Sequence, residues 1–375
     1  MNDNQPDASS LHLWARLGVK DFAACRRRFL DVSAAHAASL TSYAHPGSGP
    51  DGEELACDVA YFGNPHAPRV LIVTSGAHGL EGRAGSAIQS AWIESGAVQA
   101  LPSAVAVLLV HAINPYGFAY ERRNEATNVD PNRNFAASLA SFPDNPGYRE
   151  LHAILCPQVW TESTAIEINA KLTEYGARHG VEQLKRAIVA GQREFPDGLF
   201  YCGTQETWPV RTIKQVLRGI ASHAERIGYM DFHTGLGGYG EMVYLCFHPP
   251  GSPGRMRARR WFGADMIDPT VRPEGQSDRY EGTMYEGIEH FFGDRDSTIV
   301  CVEFGTAEPA KILSALLLEH WLHFTGGKYR PENAERCRSV RQTFTPADPA
   351  WFARVQASGL QTINDAIQGL ASDQP

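Results

Sequence analysis

The sequence lacks a long apolar run. None of its 375 residues belong to a stretch that approaches the roughly 20 consecutive apolar residues needed by a membrane-spanning helix. The first ten residues are polar and lack the positively charged start and apolar segment of a secretory signal. We therefore expect no membrane association and a cytoplasmic location.

Cysteine is present but shows no pattern. The seven cysteines are odd in number, scattered along the chain, and include no Cys-x-x-Cys pair. Neither a disulfide framework nor a thiolate zinc site is therefore indicated. We expect reduced thiols that pack as small apolar side chains.

Concentrated positive charge is also missing. Asp and Glu outnumber Lys and Arg by 42 to 34, which gives a formal net charge of −8. The short basic clusters at residues 26–28 and 257–260 are typical of solvated helix faces. Nucleic acid binding needs a concentrated basic surface, so we expect no nucleic-acid partner.

Two motifs of other enzyme classes are absent or misplaced. No Gly-x-Ser-x-Gly elbow occurs, which argues against a serine hydrolase of the α/β type. Residues 235–240 satisfy Gly-x-Gly-x-x-Gly, but a dinucleotide-binding loop must open a helix. The residues that follow, 241–247, have strand character instead. We therefore predict no dinucleotide cofactor.

The chain can bury a large core, since 43% of its residues are hydrophobic. Apolar runs predict strands at residues 69–75, 104–113, 227–233, 242–248 and 298–304. Helical spacing occurs at residues 19–40, 84–95, 309–324 and 350–370. This alternation predicts one three-layer α/β/α domain over residues 1–375, with a mixed central sheet. We expect a helical N-terminal extension at residues 1–50 and a helical insertion at 136–225.

Polar residues follow the predicted strands, where ligands bind in sheets of this kind. His78 and Glu81 stand three apart among glycines, so both side chains can face one point. His233 and Glu303 stand at the ends of two later strands. Two histidines and one glutamate are an established ligand set for catalytic zinc. The pattern therefore indicates a zinc site, with Glu303 as the candidate general base.

Several motifs resemble the zinc carboxypeptidase family and its aspartoacylase and succinylglutamate desuccinylase relatives. They are HGLEG at 78–82, RRN at 122–124, VDPNRNF at 129–135, DFHTG at 231–235 and VEFG at 302–305. The resemblance implies the zinc carboxypeptidase-like form of the three-layer fold, one Zn²⁺ per chain and hydrolysis of an amide-type bond. The sequence after His233 departs from the digestive enzymes, which indicates a divergent, uncharacterised bacterial branch.

The resemblance implies a role for each residue of the metal centre. His78, Glu81 and His233 match the zinc ligands. Glu303 matches the general base that acts on water. Asp130 matches the carboxylate that orients the first histidine ligand and fixes its tautomer.

The resemblance also implies how a substrate is held. Asn132 and Arg133 match the pair that binds a terminal carboxylate, which a planar guanidinium can grip through two oxygens. Arg122 lies nearest to the arginine that stabilises the oxyanion, and Arg123 is the alternative. Arg123 is therefore grouped with the substrate-binding residues.

The substrate itself is left open by the sequence. A short peptide would make the protein a carboxypeptidase, whereas an N-acyl amino acid or ester would make it a deacylase of the aspartoacylase type. A non-catalytic zinc- or carboxylate-binding protein is a third alternative, against which Glu303 and Arg122 argue. Both Tyr280 and Tyr285 are candidates for the family's mobile tyrosine. Ligand type alone does not fix the metal as zinc, and nothing indicates the oligomeric state.

Overall fold

A computed structural model describes residues 19–136, 138–263 and 280–372. Within them lies one seven-stranded sheet with helices on both faces. Its strands are β1 (Ser39–Ser48), β2 (Glu54–Phe62), β3 (Arg69–Ser75), β4 (Val105–His111), β5 (Arg226–Gly235), β6 (Met242–Leu245) and β7 (Asp296–Gly305). The α-helices are α1 (Phe22–Ala35), α2 (Gly82–Glu94), α3 (Pro115–Ala119), α4 (Pro146–Leu155), α5 (Thr164–His179), α6 (Val181–Val189), α7 (Trp208–Ala221), α8 (Pro253–Phe262), α9 (Met284–Phe292), α10 (Pro309–Phe324), α11 (Ala334–Phe344) and α12 (Pro349–Ser372).

The sheet is mixed, as the sequence predicts. Its strand order is β1-β2-β4-β3-β5-β7-β6. The central strands β4, β3, β5 and β7 are parallel, whereas β1, β2 and β6 pair antiparallel with their neighbours. The carboxyl ends of the four parallel strands therefore meet at one edge of the sheet, where the candidate site residues follow them.

Two apolar cores separate the sheet from its helices. One face packs against α1, α2 and α12, with Trp92 and Trp351 completely buried. The other face packs against α7 and α9, and Ile72 and Tyr229 point into that layer. A third cluster joins α4, α5, α6, α10 and α11 beside the sheet. The predicted three-layer arrangement is thus confirmed, with an additional helical core.

The prediction of a helical extension over residues 1–50 is wrong for residues 39–48, and its first part, residues 1–18, lies outside the described residues. The helix α1 spans Phe22–Ala35, and Ala37 then adopts a left-handed φ of 58°. Residues Ser39–Ser48 form the edge strand β1, which pairs with β2. Almost every β1 side chain is exposed, so the strand carries no apolar run by which the sequence could reveal it.

Other elements lie close to their predicted bounds. The strand predicted at residues 69–75 is β3, and the helix predicted at 309–324 is α10. Within the described part of residues 136–225, the regular structure is helical and includes α4 to α7. The Gly-x-Gly-x-x-Gly segment joins β5 to β6 and does not open a helix, so the strand predicted after it is confirmed.

No helix among the described residues is long and apolar enough to span a membrane.

Candidate active site

The turn after β3 carries the first two candidate ligands. It begins at Gly76, whose φ of 68° favours glycine. Gly79 lies against the backbone of Gly117, and a Cβ atom there would be only 1.8 Å from the Gly117 carbonyl carbon. Glycine is therefore required for this turn to place His78 and Glu81 at the carboxyl edge of the sheet.

The other two candidate residues are neighbours across two strands. His233 of β5 is the register partner of Glu303 of β7. Directly paired residues of adjacent strands direct their side chains to the same face of the sheet. The backbone amide of Leu236 donates a hydrogen bond to Oε2 of Glu303 over 3.3 Å. The pairing thus sets a carboxylate beside the second histidine.

The structure brings the three predicted metal ligands together. Nδ1 of His78 lies 3.0 Å from Oε1 of Glu81, and Nδ1 of His233 lies 2.9 Å from Oε2 of the same carboxylate. One ligand atom from each of the three buried residues lies within 4.8 Å of the others. Two imidazole nitrogens and one carboxylate suit zinc, so this donor set fits the implied ion.

Each histidine has a second, fully buried carboxylate behind it. Nε2 of His78 lies 3.1 Å from Oδ1 of Asp130, the residue predicted to orient it. Nε2 of His233 lies 2.6 Å from Oδ2 of Asp231. Thr74 donates a hydrogen bond of 2.7 Å to the other oxygen of Asp231. These contacts turn both Nδ1 atoms toward Glu81.

Asp231 was not among the predicted site residues. It stands two positions before His233 on the same strand, so both side chains point to one face. The Asp-x-His spacing within DFHTG is the sequence signal for this pair.

The cluster is electrostatically coupled. Burial alone would raise the pKa of Glu81, but the imidazoles of His78 and His233 outweigh it and hold that pKa well below its usual range. Burial acts to lower the pKa of His233, yet the Asp231 carboxylate prevails and raises it. Burial raises the pKa of Glu303 to about 7, and the nearby Glu81 acts in the same direction. Glu303 is thereby suited to exchange a proton near neutral pH.

The structure does not bring Arg122 to this cluster. Its side chain is 1% exposed and is held by Glu319 of α10 at 3.0 Å and by Asn128 at 2.9 Å. Arg123 points the other way, since its Nε donates to Asp130 over 3.0 Å and its Nη1 lies 3.8 Å from Glu81. The alternative arginine, not the first choice, therefore lies beside the candidate ligands. Spacing along the chain could not distinguish two adjacent arginines.

Arg133 is a buried cation with no carboxylate within 4 Å among the described residues, although the Asp130 carboxylate raises its pKa from farther away. Its Nε and Nη2 both donate to the carbonyl of Val189, over 3.1 and 2.6 Å, and its Nη1 donates to the carbonyl of Asn132. The Asn132 side chain in turn accepts a hydrogen bond from the amide of Met284. The predicted carboxylate-binding pair thus lies at the amino end of α9.

The two candidate tyrosines occupy different places. The hydroxyl of Tyr285 lies 2.9 Å from Nε2 of His233, and its ring stacks on Phe247 at 4.8 Å. The ring of Tyr280 lies 5.8 Å from the guanidinium carbon of Arg133. Tyr285 is thus next to a candidate ligand, whereas Tyr280 contacts the candidate carboxylate-binding residue.

Comparison with known proteins places the chain in a family. Residues 19–358 match the family described as "Protein of unknown function (DUF2817)". The chain belongs to this family. Comparison with curated proteins gives no match. A family whose function is described as unknown agrees with the expectation of an uncharacterised branch.

This DUF2817 protein is similar in fold to several solved structures of low identity. Thrombin activatable fibrinolysis inhibitor is 11% identical, with 91% of this chain and 74% of that chain covered and a TM-score of 0.45. A metallo-carboxypeptidase from Burkholderia cenocepacia is 11% identical, with 89% and 68% covered and a TM-score of 0.42. A succinylglutamate desuccinylase from Chromobacterium violaceum is 13% identical, with 84% and 71% covered and a TM-score of 0.37. At these values the similarity assigns no chemistry, which depends on the residues of this chain.

Proposed function

We propose that this DUF2817 protein is a zinc-dependent hydrolase that cleaves an amide-type bond in a small substrate bearing a carboxylate. The observation that carries the proposal is the convergence of His78, His233 and Glu81 around one point, with Glu303 paired to His233 on the adjacent strand. A structural zinc site has no need of a fourth, proton-exchanging carboxylate beside its ligands.

The three converging side chains would hold the metal through two Nδ1 atoms and a carboxylate. Asp130 and Asp231 would keep the ligating nitrogens unprotonated by engaging the opposite ring nitrogens. When bound, zinc would polarise the substrate carbonyl and lower the pKa of a water molecule from about 15.7 toward 7.

Glu303 would move the proton. Its carboxylate accepts a proton from the attacking water and then delivers it to the leaving nitrogen, so the residue ends the cycle in its starting state. A pKa raised to about 7 supports both steps, because the group gains and loses a proton with similar ease at neutral pH. The amide of Leu236 keeps the carboxylate oriented.

Arg123 would stabilise the negative charge that develops on the substrate oxygen. Its guanidinium lies beside Glu81 and is anchored through Nε by Asp130. That anchor leaves the outer nitrogens to act as preorganised donors. We therefore assign to Arg123 the role that the sequence predicted first for Arg122.

Arg133 and Asn132 would bind the substrate's carboxylate. A buried guanidinium is costly without a bonded counter-ion, and within the described residues Arg133 donates only to backbone carbonyls, while Asp130 acts on it from beyond hydrogen-bonding distance. A substrate carboxylate would supply a directly bonded negative charge through charge-assisted hydrogen bonds. Dipeptides and N-acyl amino acids both carry such a group.

Metal content and substrate scope test the proposal together. Zinc is measured by elemental analysis in the wild-type protein and in His78→Ala, and both are assayed against N-acetyl amino acids and dipeptides. About one zinc per chain, lost in His78→Ala together with hydrolysis, would support the proposal. Preference between the two substrate series would decide between a deacylase and a carboxypeptidase. Zinc binding without hydrolysis of either series would favour the non-catalytic alternative.

A further inference from the structure

The ring of Phe200 contacts two guanidinium groups of the candidate site. Its centroid lies 5.1 Å from the guanidinium carbon of Arg123 and 5.5 Å from that of Arg133. Both distances fall within the roughly 6 Å range of cation–π attraction. The side chain is 3% exposed, and such contacts are strongest where water is excluded. No motif in the sequence points to this residue, which lies between α6 and α7.

The backbone of Phe200 is held in an unusual conformation. Its φ is 54°, in the left-handed region that bulky side chains rarely adopt. Its carbonyl accepts a hydrogen bond from the amide of Gln192 over 3.1 Å, and the carbonyl of Tyr201 accepts one from the amide of Asp130 over 2.9 Å. Such conformations persist where surrounding contacts impose them, and they cluster at functional sites. The contact with Asp130 ties this segment directly to the candidate site.

The two arginines differ in their need for the ring. Arg123 has a carboxylate counter-ion in Asp130 at 3.0 Å. Arg133 donates only to backbone carbonyls within the described part of the chain. Burial lowers its pKa and the charge of Arg123 adds to this, while the more distant Asp130 carboxylate offsets only part of the effect. The electron-rich face of Phe200 offsets part of the hydration that Arg133 has lost. It also restricts the orientation of a guanidinium whose outer donors would meet the substrate.

We propose that Phe200 is a specificity-determining positioning residue, which holds Arg133 so that the site selects substrates with a carboxylate over neutral analogues. This inference rests on the proposed function, because Arg133 is taken there to bind the substrate carboxylate. Without the ring, only the hydrogen bonds to the carbonyls of Val189 and Asn132 would restrain the guanidinium of Arg133, which would lose part of its preorganisation. The helical insertion at residues 136–225 thereby contributes to substrate selection as well as to the fold.

A pair of ligands that differ only in charge tests this role. The dissociation constants of N-acetyl-leucine and N-acetyl-leucinamide are measured by calorimetry on the zinc-loaded Glu303→Gln protein, in which turnover is suppressed. The same measurement is made on three double variants, in which Phe200→Leu, Phe200→Tyr or Phe195→Leu is combined with Glu303→Gln. Phe195 is a matched control, since it lies on the same segment and its ring stacks on His152 at 3.9 Å.

We expect Phe200→Leu to reduce the preference for the acid about threefold to tenfold, whereas Phe200→Tyr and Phe195→Leu retain it. In the otherwise wild-type enzyme, Phe200→Leu should raise KM for acid substrates more than it lowers kcat. Phe200→Met gives the same comparison if the leucine variant does not fold.

Two results would overturn the inference, and they are distinguishable. An unchanged preference in Phe200→Leu, with only the melting temperature lowered, would reduce Phe200 to a structural residue and leave the proposed function intact. If the Glu303→Gln protein with Phe200 intact binds N-acetyl-leucine and N-acetyl-leucinamide equally, Arg133 does not bind the substrate carboxylate. That result would contradict both this inference and the carboxylate-binding part of the proposed function.

Discussion

Arg122 and Arg123 are adjacent in the chain, but their guanidinium groups lie on opposite sides of one loop. Arg122 is bound to Glu319 of α10, whereas Arg123 is bound to Asp130 beside the candidate metal ligands. The backbone of Arg122 joins the two sides, because its carbonyl accepts a hydrogen bond from Leu80 in the ligand-bearing turn. Arg122 therefore holds the loop against α10, whereas Arg123 lies beside the candidate metal ligands.

Substitution of the two arginines should separate stability from catalysis. Arg122→Met leaves the Glu319 carboxylate buried and unpaired, so we expect the free energy of unfolding to fall by about 3–5 kcal/mol. Arg123→Met removes the oxyanion donor, so we expect kcat to fall about 10²- to 10³-fold, with a smaller loss of stability because Asp130 keeps His78 and the Asn132 amide as partners. Chemical denaturation and steady-state kinetics on both variants check this. A larger loss of kcat in folded Arg122→Met than in Arg123→Met would reverse the assignment.

Asp231 should tune the affinity for zinc through His233. Asp231→Asn keeps an acceptor for Thr74 but removes the charge that fixes the imidazole, so we expect zinc affinity to fall about 10- to 100-fold. Competition with a chelator measures the affinity. Asp296→Asn is the control. Asp296 pairs with Arg226 at the amino ends of β7 and β5, which are the ends far from the candidate site. Equal affinities in the two variants would contradict the role of Asp231.

The turn that carries His78 and Glu81 should tolerate no side chain at Gly79. A Cβ atom at Gly79 would collide with the backbone of Gly117. We therefore expect Gly79→Ala to lose zinc binding and to lower the free energy of unfolding by about 3 kcal/mol or more. Gly219→Ala on α7 is the matched control, because a Cβ atom there meets nothing within 4 Å. We expect that change to be neutral or stabilising by up to about 1 kcal/mol. Zinc content and thermal unfolding decide the comparison, and wild-type zinc binding in Gly79→Ala would refute the steric account.

Stability should fall as the pH is lowered from about 6.5 toward 4. Burial lowers the pKa of His111 from 6.5 to about 4, so the unfolded chain binds more protons in this window. The contribution of His111 is therefore complete above pH 6.5 and is lost as the pH falls through about 4. A shift of this size corresponds to about 3 kcal/mol.

Urea denaturation at several pH values, on the metal-free protein, measures this dependence. His111→Leu should reduce the slope between pH 6.5 and 4, although the loss of its contact with Ser86 lowers stability at every pH. His223→Leu, at a partly buried histidine that follows α7, controls for the change of residue type. An unchanged slope in His111→Leu would show that another group dominates acid destabilisation.

The sequence predicts the elements that carry a clear pattern, such as buried apolar strands. β3 and α10 were located because their residues form an uninterrupted apolar run and a proline-initiated helix. The sequence does not predict β1, because the strand is held by backbone hydrogen bonds to β2 while almost all of its side chains are exposed. Strands of this kind are specified by their neighbours rather than by their own pattern.

The site was predictable where residues close in sequence share a face. His78 and Glu81 lie in one turn, and the motifs led to His233 and Glu303. The directions of Arg122 and Arg123 depend on packing against α10, which spacing does not encode. Phe200 comes from a distant helical segment and carries no motif, so only the three-dimensional structure shows its contacts with the arginines.

The most direct test of the central claim is the turnover of Glu303→Gln at full zinc occupancy. The substitution keeps the shape of the side chain and removes its capacity to accept a proton. Glu308→Gln makes the same change on an exposed side chain at the start of α10 and serves as the control. We predict that Glu303→Gln retains about one zinc per chain and loses 10²- to 10⁴-fold in kcat, whereas Glu308→Gln keeps the wild-type kcat. Near wild-type turnover by zinc-loaded Glu303→Gln would contradict the account.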